Sequence, residues 1–411
     1  MKILQILDKQ PDAGGGADAG GGGLAIHVEN LCEQLKANGH ASPVLRLVVD
    51  DTTGKNIAAT REDEYTLRSS YGLIQGYRLK SELRKLLDDI KPDIVHVHGC
   101  FTSLSPVLMS MLQDLFPVIG TLHDIRPFCY VMSRRFAPDG KLCERRCGIG
   151  CFTTQCVRPR DATDILRLAR RWFVDARTLT GWKTLDRVIA PSEYIRNLAL
   201  LHGIKNENLR LVPHGIELPT HTATSARSNH ETPIIMYLGS LFEEKGVLHL
   251  IKALQLLQHP AWRAIFVGSG PLHNQIAQYL HRGGIADRVE IRDHISQRDE
   301  IYELLASARM LVVPSTIPES FALVGIEALA VGSPVVSFAL GGITEWFRDG
   351  ENGLAAADLD CNDLARQIDK LLKSPQLADE LGSFGRTLVE TSFNRAKAFE
   401  RTFRVYQELA D

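Results

Sequence analysis

The sequence predicts an α/β protein built from two doubly wound, Rossmann-like domains that face each other across a cleft. Short β-branched and apolar runs alternate with amphipathic helical stretches, which is typical of parallel sheets covered by helices on both faces. This alternation occurs in two series, and a segment without apolar periodicity at residues 218–231 separates them. The length of 411 residues is sufficient for two domains with complete cores.

The first series begins with a buried strand at residues 2–7, which is followed by a glycine-rich loop at 13–23. A helix is predicted at 24–38 because apolar residues recur at helical spacing, and Gly39 supplies its C-terminal stop. The remaining predicted elements of this series are strands at 42–48, 93–98, 118–122, 187–190 and 209–213 and a helix at 77–90.

The second series repeats the pattern after the composition break. Strands are predicted at 233–238, 262–267, 289–291, 310–314, 334–338 and 353–356, helices at 246–257 and 321–330, and three further helical stretches at the end. The predicted domains are therefore 1–217, with a cysteine-containing insert at about 128–160, and 232–394, joined by the linker 218–231. We expect a final helix at 395–411 to pack back on the first domain, and ligands to bind at the carboxyl ends of the strands, in the cleft.

Composition and charge exclude several classes of protein. The formal net charge of −2, with 23% charged and 44% hydrophobic residues, is ordinary for a soluble globular protein and gives no basic field for nucleic acid. No apolar run is long enough to predict a membrane-spanning helix, and residues 1–8 fit a strand better than a signal peptide. The eight cysteines are expected to be reduced in the cytoplasm, with attachment to the inner face of the membrane left open.

The segment that carries most chemical information runs from Pro318 to Glu327. Glu319 follows a predicted strand, and Ser320 is a suitable N-cap for the next helix. Glu327 lies two turns into that helix, so the two carboxylates could contact different parts of one extended ligand. The alternative is an ordinary amphipathic helix with two surface carboxylates. The first helical amides would suit a diphosphate, and they belong to Phe321, Ala322 and Leu323.

A second candidate region follows the first strand of the second series. Gly239 and Ser240 begin a loop, and Lys245 precedes a helix. A Lys ammonium is the expected stabiliser of a diphosphate leaving group, although a solvated lysine in a turn is the alternative. Gly268, a further candidate for donor binding, begins a second glycine turn at the end of the next strand, and a simple strand-end turn is the alternative.

The first series contributes histidines and a glycine loop. His123 lies at the carboxyl end of a predicted strand, where ligands bind in open α/β sheets. His96 and His98 end the preceding strand, and we expect His96 to pack and His98 to lie nearer the cleft. The loop glycines do not form a dinucleotide fingerprint, which argues against hydride transfer.

These segments resemble the motifs of one known family. The stretch 318–327 is similar to the E-x7-E motif of retaining glycosyltransferases of family 4, the glycosyl transferases group 1, which have the GT-B fold. The resemblance implies that Glu319 faces the transferred sugar and Glu327 the ribose hydroxyls. It also implies that Lys245 binds the diphosphate and that His123 contacts the donor sugar and the reaction centre.

The resemblance covers nearly the whole chain and includes some departures. Ala322 stands where the family often has Gly, Ser240 where Arg is common, and His214 where Asn is frequent. The resemblance also implies that Gly21, Gly22 and Gly23 approach the ligand, with His27 facing the acceptor.

The implied activity is retaining transfer from a nucleotide diphosphate sugar, UDP- or GDP-linked, to a hydroxyl acceptor in glycan, polysaccharide or glycoconjugate synthesis. The acceptor would be a sugar, a lipid-linked molecule or a small molecule, and catalysis would need no metal or other cofactor. Two alternatives remain, a nucleotide-sugar epimerase on the same fold and a non-catalytic subunit that binds nucleotide sugar.

Two further features lie in the region of weakest resemblance. Four cysteines at C-x3-C-x3-C-x4-C spacing could hold a structural zinc ion, with free thiols in a variable insert as the alternative. They are Cys143, Cys147, Cys151 and Cys156.

The second feature is an amphipathic stretch at residues 165–179. It suggests contact with a membrane surface or an acidic acceptor, and the alternative is a helix packed on its own domain with a solvated basic face. On a helical projection Arg167, Arg170, Arg171 and Arg177 gather on one side and Leu168, Ala169, Trp172, Phe173 and Ala176 on the other.

Overall fold

A computed structural model describes residues 1–8, 23–49, 57–61, 63–69, 73–99, 104–129, 133–135, 140–153, 156–157, 162–219 and 232–410. Within these ranges the chain forms two compact units. The first contains the described residues up to Val212 together with those from Phe399 onward, and the second contains those from Pro213 to Ala398. The division falls shortly before the predicted linker, most of which lies outside the described residues.

The first unit is built on an eight-stranded sheet. Its strands are β1 (Ile3–Asp8), β2 (Val44–Val49), β3 (Ile57–Arg61), β4 (Glu64–Ser69), β5 (Ile94–His98), β6 (Val118–Thr121), β7 (Arg187–Ala190) and β8 (Leu209–Leu211). The strand order is β3-β4-β2-β1-β5-β6-β7-β8, and only the edge pair β3 and β4 is antiparallel. Its helices are α1 (Gly23–Ala37), α2 (Leu73–Ile90), α3 (Pro106–Leu115), α4 (Gly150–Thr153), α5 (Ala162–Lys183) and α6 (Glu193–Leu201).

The second unit is built on a parallel sheet of six strands. They are β9 (Ile234–Leu238), β10 (Arg263–Val267), β11 (Val289–Arg292), β12 (Met310–Val313), β13 (Val335–Ser337) and β14 (Gly353–Ala355), in the order β11-β10-β9-β12-β13-β14. Its helices are α7 (Val247–Gln255), α8 (His273–Arg282), α9 (Arg298–Ser307), α10 (Leu323–Ala330), α11 (Cys361–Lys373), α12 (Pro375–Ser392) and the start of α13 (Arg395–Ala410), whose residues from Phe399 belong to the first unit.

The central strands are buried on both faces, which explains their continuous apolar sequences. Residues Ile3 to Leu7 of β1 and Met310 to Val313 of β12 are all buried. In the second unit this burial divides the apolar side chains into two clusters, one for each face of the sheet. The prediction of two Rossmann-like α/β units is confirmed.

Seven of the described elements were not predicted from the sequence, namely helices α3, α4, α6, α8 and α9 and strands β3 and β4. Helices α3 and α6 begin with a common signal, since the hydroxyl groups of Ser105 and Ser192 accept hydrogen bonds from the amides of Leu108 and Ile195. The edge strand β3 and its neighbour β4 contain several polar residues and lack the apolar runs of the central strands. Strand β4 pairs with β2, and β3 pairs with β4, so both join the sheet through their neighbours rather than through a strong local pattern.

Sheet register brings the candidate residues of the first unit to one edge. Leu7 of β1 pairs with His98 of β5, and His98 pairs with Thr121 of β6. All three strands run parallel, so the segments that follow them leave the sheet on the same side. His123 lies in the segment after β6.

Candidate active site

Glu319 is held in a defined geometry in the loop between β12 and α10. Its Oε1 accepts a hydrogen bond of 2.7 Å from Nζ of Lys245 and one of 2.6 Å from Oγ of Ser315. Burial raises the pKa of the Glu319 carboxyl group, but the Lys245 ammonium and these hydrogen bonds outweigh burial and hold the pKa below its ordinary value. Glu319 is therefore an ionised carboxylate at neutral pH.

The backbone beside Lys245 explains why Lys is followed by Gly. Gly246 has φ of +71°, and a Cβ there would lie 1.8 Å from the carbonyl oxygen of Pro314. The amide of Thr316 also donates to the carbonyl of Glu244 at 2.9 Å. Only glycine permits this close approach, which brings the Lys245 turn against the end of β12 and places the ammonium beside Glu319.

Glu327 lies on α10 in a different electrostatic environment. Burial raises the pKa of its carboxyl group above the ordinary value, and Arg298 at the start of α9 offsets only part of that shift. The nearest Arg298 nitrogen lies 3.9 Å from Oε1 of Glu327. Glu327 also raises the pKa of Tyr302, secondary to the burial of that phenol. The two glutamates thus differ, one held ionised by a close lysine and the other desolvated beside a more distant arginine.

The start of α10 differs from the prediction. The N-cap is Ala322 rather than Ser320, and the helix begins at Leu323. Ala322 adopts a left-handed conformation with φ of +61° and ψ of +72°, so a sharp turn intervenes between Ser320 and the helix. Phe321 is buried, and its carbonyl accepts a hydrogen bond of 2.6 Å from Nε1 of Trp346. The left-handed turn explains why glycine suits position 322.

The glycine turns that follow β9 and β10 lie against each other. A Cβ at Gly268 would lie 2.0 Å from the carbonyl oxygen of Gly239, so a side chain has no room there. The buried hydroxyl of Tyr237 donates to the carbonyl of Ser240 at 2.8 Å and fixes the turn. Gly239, Ser240 and Gly268 therefore lie together at the carboxyl edge of this sheet.

In the first unit, three histidines from different elements converge. Nδ1 of His98 lies 3.1 Å from Nε2 of His123, and Nε2 of His98 lies 2.7 Å from Oε1 of Gln5. The ring centroid of His27 on α1 lies 5.2 Å from that of His123. Burial lowers the pKa of His27 to about 4, so this imidazole is neutral at neutral pH. The sequence predicted His27 and His123 as site residues and His98 as nearer the ligand than His96, but Gln5 and the contact between His98 and His123 were not predicted.

His96 occupies the core behind this cluster. It is fully buried, and its ring nitrogens lie 2.7 Å from the Tyr406 hydroxyl and 2.7 Å from Oγ1 of Thr121. Burial, together with His27, lowers its pKa to about 3. Tyr406 belongs to α13, so the C-terminal helix packs against β5 in the core of the first unit.

Two family models match successive parts of the chain. The model for Glycosyltransferase Family 4 matches residues 21–219, and that for Glycosyl transferases group 1 matches residues 222–388. The chain belongs to the family 4 glycosyltransferases. This result confirms the family identified from the E-x7-E segment.

Individual relatives and solved structures agree with this glycosyltransferase family. The chain is 24% identical to a glycogen synthase of Mycobacterium tuberculosis over 412 residues, covering 94% of this chain and 91% of the relative. Sucrose-phosphate synthase from Thermosynechococcus elongatus superposes with a TM-score of 0.73 at 23% identity, covering 100% of this chain and 99% of the other. Anabaena HepE in complex with UDP-glucose superposes with a TM-score of 0.71 at 17% identity, covering 100% of each chain. These structures show that the glycosyltransferase has the GT-B fold.

The cysteine insert of the glycosyltransferase brings together a pair of thiols. The sulfur atoms of Cys147 and Cys151 lie 3.9 Å apart. In the described ranges, the only group of three or more His, Cys, Asp or Glu ligand atoms within 4.8 Å of one another is His27, His98 and His123. The four-cysteine zinc site therefore stays a prediction.

The predicted ligand contacts of the glycine loop lie partly outside the described residues of the glycosyltransferase. Gly21 and Gly22 are outside the described residues, whereas Gly23 is the first residue of α1. No helix in the described ranges is long and apolar enough to cross a membrane.

Proposed function

We propose that this glycosyltransferase transfers a sugar from a nucleotide diphosphate sugar to a hydroxyl acceptor, with retention at the anomeric carbon, in glycan, polysaccharide or glycoconjugate synthesis. The observation that carries the proposal is the ionised Glu319 held beside Lys245 at 2.7 Å, at the carboxyl edge of a parallel sheet. A cation for a diphosphate and a carboxylate for sugar hydroxyls thus occur side by side. The likeness to HepE, whose structure contains UDP-glucose, supports a UDP-sugar as donor.

The geometry at Glu319 suggests how the sugar would be recognised. Lys245 and Ser315 both donate to Oε1 of Glu319, so Oε2 is the oxygen that a sugar hydroxyl would reach. Because its orientation is fixed before any ligand arrives, the carboxylate loses little entropy on binding. Glu327 offers a second carboxyl group, for which the vicinal hydroxyls of ribose are the proposed partner.

In the proposed reaction, the bond between the anomeric carbon and the diphosphate oxygen breaks, and the acceptor oxygen forms its bond on the same face. The departing diphosphate takes the proton of the acceptor hydroxyl. Lys245 and the first amides of α10 stabilise the negative charge that develops on the leaving group. Because Lys245 and these amides supply the electrostatic stabilisation, we expect the reaction to need no metal ion and turnover to persist when EDTA is added.

His123 is the proposed catalytic residue of the first unit, where it would orient the transferred sugar. The contact between His98 and His123 limits the rotation of the His123 imidazole. His123→Ala is therefore expected to lower turnover more than it changes the affinity for free nucleotide.

A panel of UDP- and GDP-sugars tests the proposal by thermal shift and by hydrolysis of the donor. At least one donor should raise the melting temperature and release nucleotide, and Glu319→Gln should lower that rate by about a hundredfold or more. The exposed Glu303→Gln and Lys252→Met are matched controls in the same unit and should retain the wild-type rate.

Three results would contradict the proposal. Unchanged transfer by both Glu319→Gln and Lys245→Met would remove their assigned roles. Conversion of a UDP-sugar into an isomer without acceptor would indicate an epimerase. Binding of nucleotide sugars with no turnover of any donor and acceptor pair would indicate a non-catalytic subunit.

A further inference from the structure

Residues 141–183, which we call the basic segment, differ in charge from the rest of the chain. They contain ten Lys or Arg and four Asp or Glu, a net charge of +6, whereas the whole chain carries −2. The remaining residues therefore carry −8. A basic region on an otherwise acidic protein indicates a surface that binds an anionic partner.

The same segment concentrates exposed apolar side chains. Ten large hydrophobic side chains are exposed in the described ranges, and five of them lie in this tenth of the chain. Scattered exposed apolar residues are ordinary, but their concentration in one basic segment is not. The five are Leu142, Ile149, Ile165, Leu166 and Phe173, and the most exposed is Leu166 at 73%.

Helix α5 presents part of this apolar set as a stripe. Ile165, Leu166, Ala169, Phe173 and Ala176 are all exposed and recur at helical spacing, so they lie on one face. None of the described side chains from 163 to 177 is buried. Of the apolar face that the sequence predicted, Ala169, Phe173 and Ala176 are exposed, whereas Leu168 and Trp172 are partly buried.

The end of α5 is anchored firmly, in contrast to its first turns. Thr178 and Trp182 are buried, and the carbonyl of Gly181 accepts a hydrogen bond of 3.0 Å from the side chain of Gln113 on α3. Helix α5 is thus fixed to the first unit at its C-terminal end. Residues 163–177, none of whose described side chains is buried, present an amphipathic surface on this support.

Charge lies directly beside the apolar stripe. The Arg177 guanidinium lies 4.5 Å from the ring centroid of Phe173. A guanidinium over an aromatic ring stays charged beside apolar surface. It can therefore contact a lipid phosphate while the ring enters the less polar part of the bilayer interface. Exposed apolar side chains flanked by Arg are the pattern of helices that lie in the interface of an anionic bilayer.

We propose that residues 163–177 of α5 bind an anionic lipid surface, with Ile165, Leu166 and Phe173 entering the interface and Arg177 contacting lipid phosphates. Charge complementarity favours an anionic surface, because the net charge of +6 on the basic segment is attracted to anionic lipids but not to zwitterionic ones. The proposal is independent of the transfer reaction, since it uses none of the residues assigned to donor binding.

Flotation of the full-length protein with phosphatidylcholine vesicles, with and without 30% phosphatidylglycerol, tests this proposal. The partition coefficient should be at least tenfold higher on the anionic vesicles, and this advantage should fall as salt rises from about 0.05 M to 0.5 M. The double substitution Leu166→Gln with Phe173→Gln should lower binding to anionic vesicles tenfold or more. Arg177→Gln should lower it about fivefold.

The second unit supplies matched controls. Leu256 and Phe384 are also exposed, at 42% and 46%, and the double substitution Leu256→Gln with Phe384→Gln should leave vesicle binding unchanged. Circular dichroism of each variant should match the wild type, since the replaced side chains are exposed.

Four results would overturn the proposal. The first two are equal binding to both vesicle types and wild-type binding by the α5 double variant. The third is a loss of vesicle binding in the control variant as large as that in the α5 double variant. The fourth is a dimer, detected by light scattering, that disappears when Leu166 and Phe173 are substituted. The last result would show that the stripe binds a second copy of this chain instead.

Discussion

Replacing Lys245 with Met tests the electrostatics of the candidate site most fully. Methionine keeps most of the length of the lysine side chain but leaves Glu319 without its cation. Losing one partner of a fully buried ion pair costs about 3–5 kcal/mol, and exposed pairs contribute about 0.2–1 kcal/mol. Here the Glu319 side chain is 13% exposed and the Lys245 side chain 39% exposed. We therefore expect the free energy of unfolding to fall by about 2 kcal/mol at pH 7.5.

This loss should depend on pH in a defined direction. In the wild type the pKa of Glu319 is depressed, so its contribution to stability is present above the ordinary carboxyl pKa and is lost as pH falls. In Lys245→Met burial remains without the ammonium, so the pKa of Glu319 should rise and the carboxyl group should take up a proton in mild acid. The difference in stability between variant and wild type should therefore shrink towards pH 4.5.

Urea unfolding followed by tryptophan fluorescence measures this effect, because Trp262 and Trp346 both lie in the core of the second unit. Lys252→Met, on an exposed position of α7, is the control and should change stability by less than about 0.5 kcal/mol. A difference of the same size at pH 7.5 and pH 4.5, or no difference at pH 7.5, would refute the reasoning.

Three further substitutions have expected outcomes. Ala322→Gly should relieve a strained left-handed backbone and stabilise the protein by about 0.5–1 kcal/mol. Differential scanning fluorimetry should therefore show a higher melting temperature, and a lower melting temperature would contradict the prediction. Gly325→Ala should destabilise by about 3 kcal/mol, because its Cβ would lie 1.9 Å from the Trp346 ring, and a wild-type urea midpoint would contradict this. The pKa of His27 is lowered to about 4 in the folded protein. The stability that the neutral imidazole contributes is therefore complete above the pKa of about 6.5 in the unfolded chain and is lost as pH falls. His27→Phe should therefore flatten the fall in stability between pH 7 and pH 4 by on the order of 2 kcal/mol, measured by urea unfolding, whereas an unchanged slope would argue against a desolvated neutral imidazole.

Much of the fold was predictable because its strands and helices carry strong local patterns. Strand β7 begins and ends at the residues that the sequence predicted, and β1, β5 and β12 differ by a residue or so at their ends. These strands are mostly apolar, as burial on both faces favours. The edge strand β3 and its neighbour β4 are not such apolar runs, and they were missed.

The candidate site was predictable as residue types but not as contacts. Glu319 and Lys245 were identified from their motifs, yet Ser315, which shares Oε1 of Glu319, carries no distinct signal in the sequence. The N-cap was assigned to Ser320 because serine commonly caps helices, whereas a left-handed alanine does so in the structure. The pair of His98 and His123 depends on the register between β5 and β6, which no local pattern specifies.

The stereochemistry of donor hydrolysis tests the central claim most directly. The protein would be incubated with α-linked UDP- and GDP-sugars, and the anomer released first would be identified by proton NMR before mutarotation, with Glu319→Gln in parallel. We predict release of nucleotide from at least one donor, the α-anomer as the first product, and a greatly reduced rate in the variant. Release of the β-anomer first, or no release of nucleotide from any donor, would contradict retaining transfer from a nucleotide diphosphate sugar.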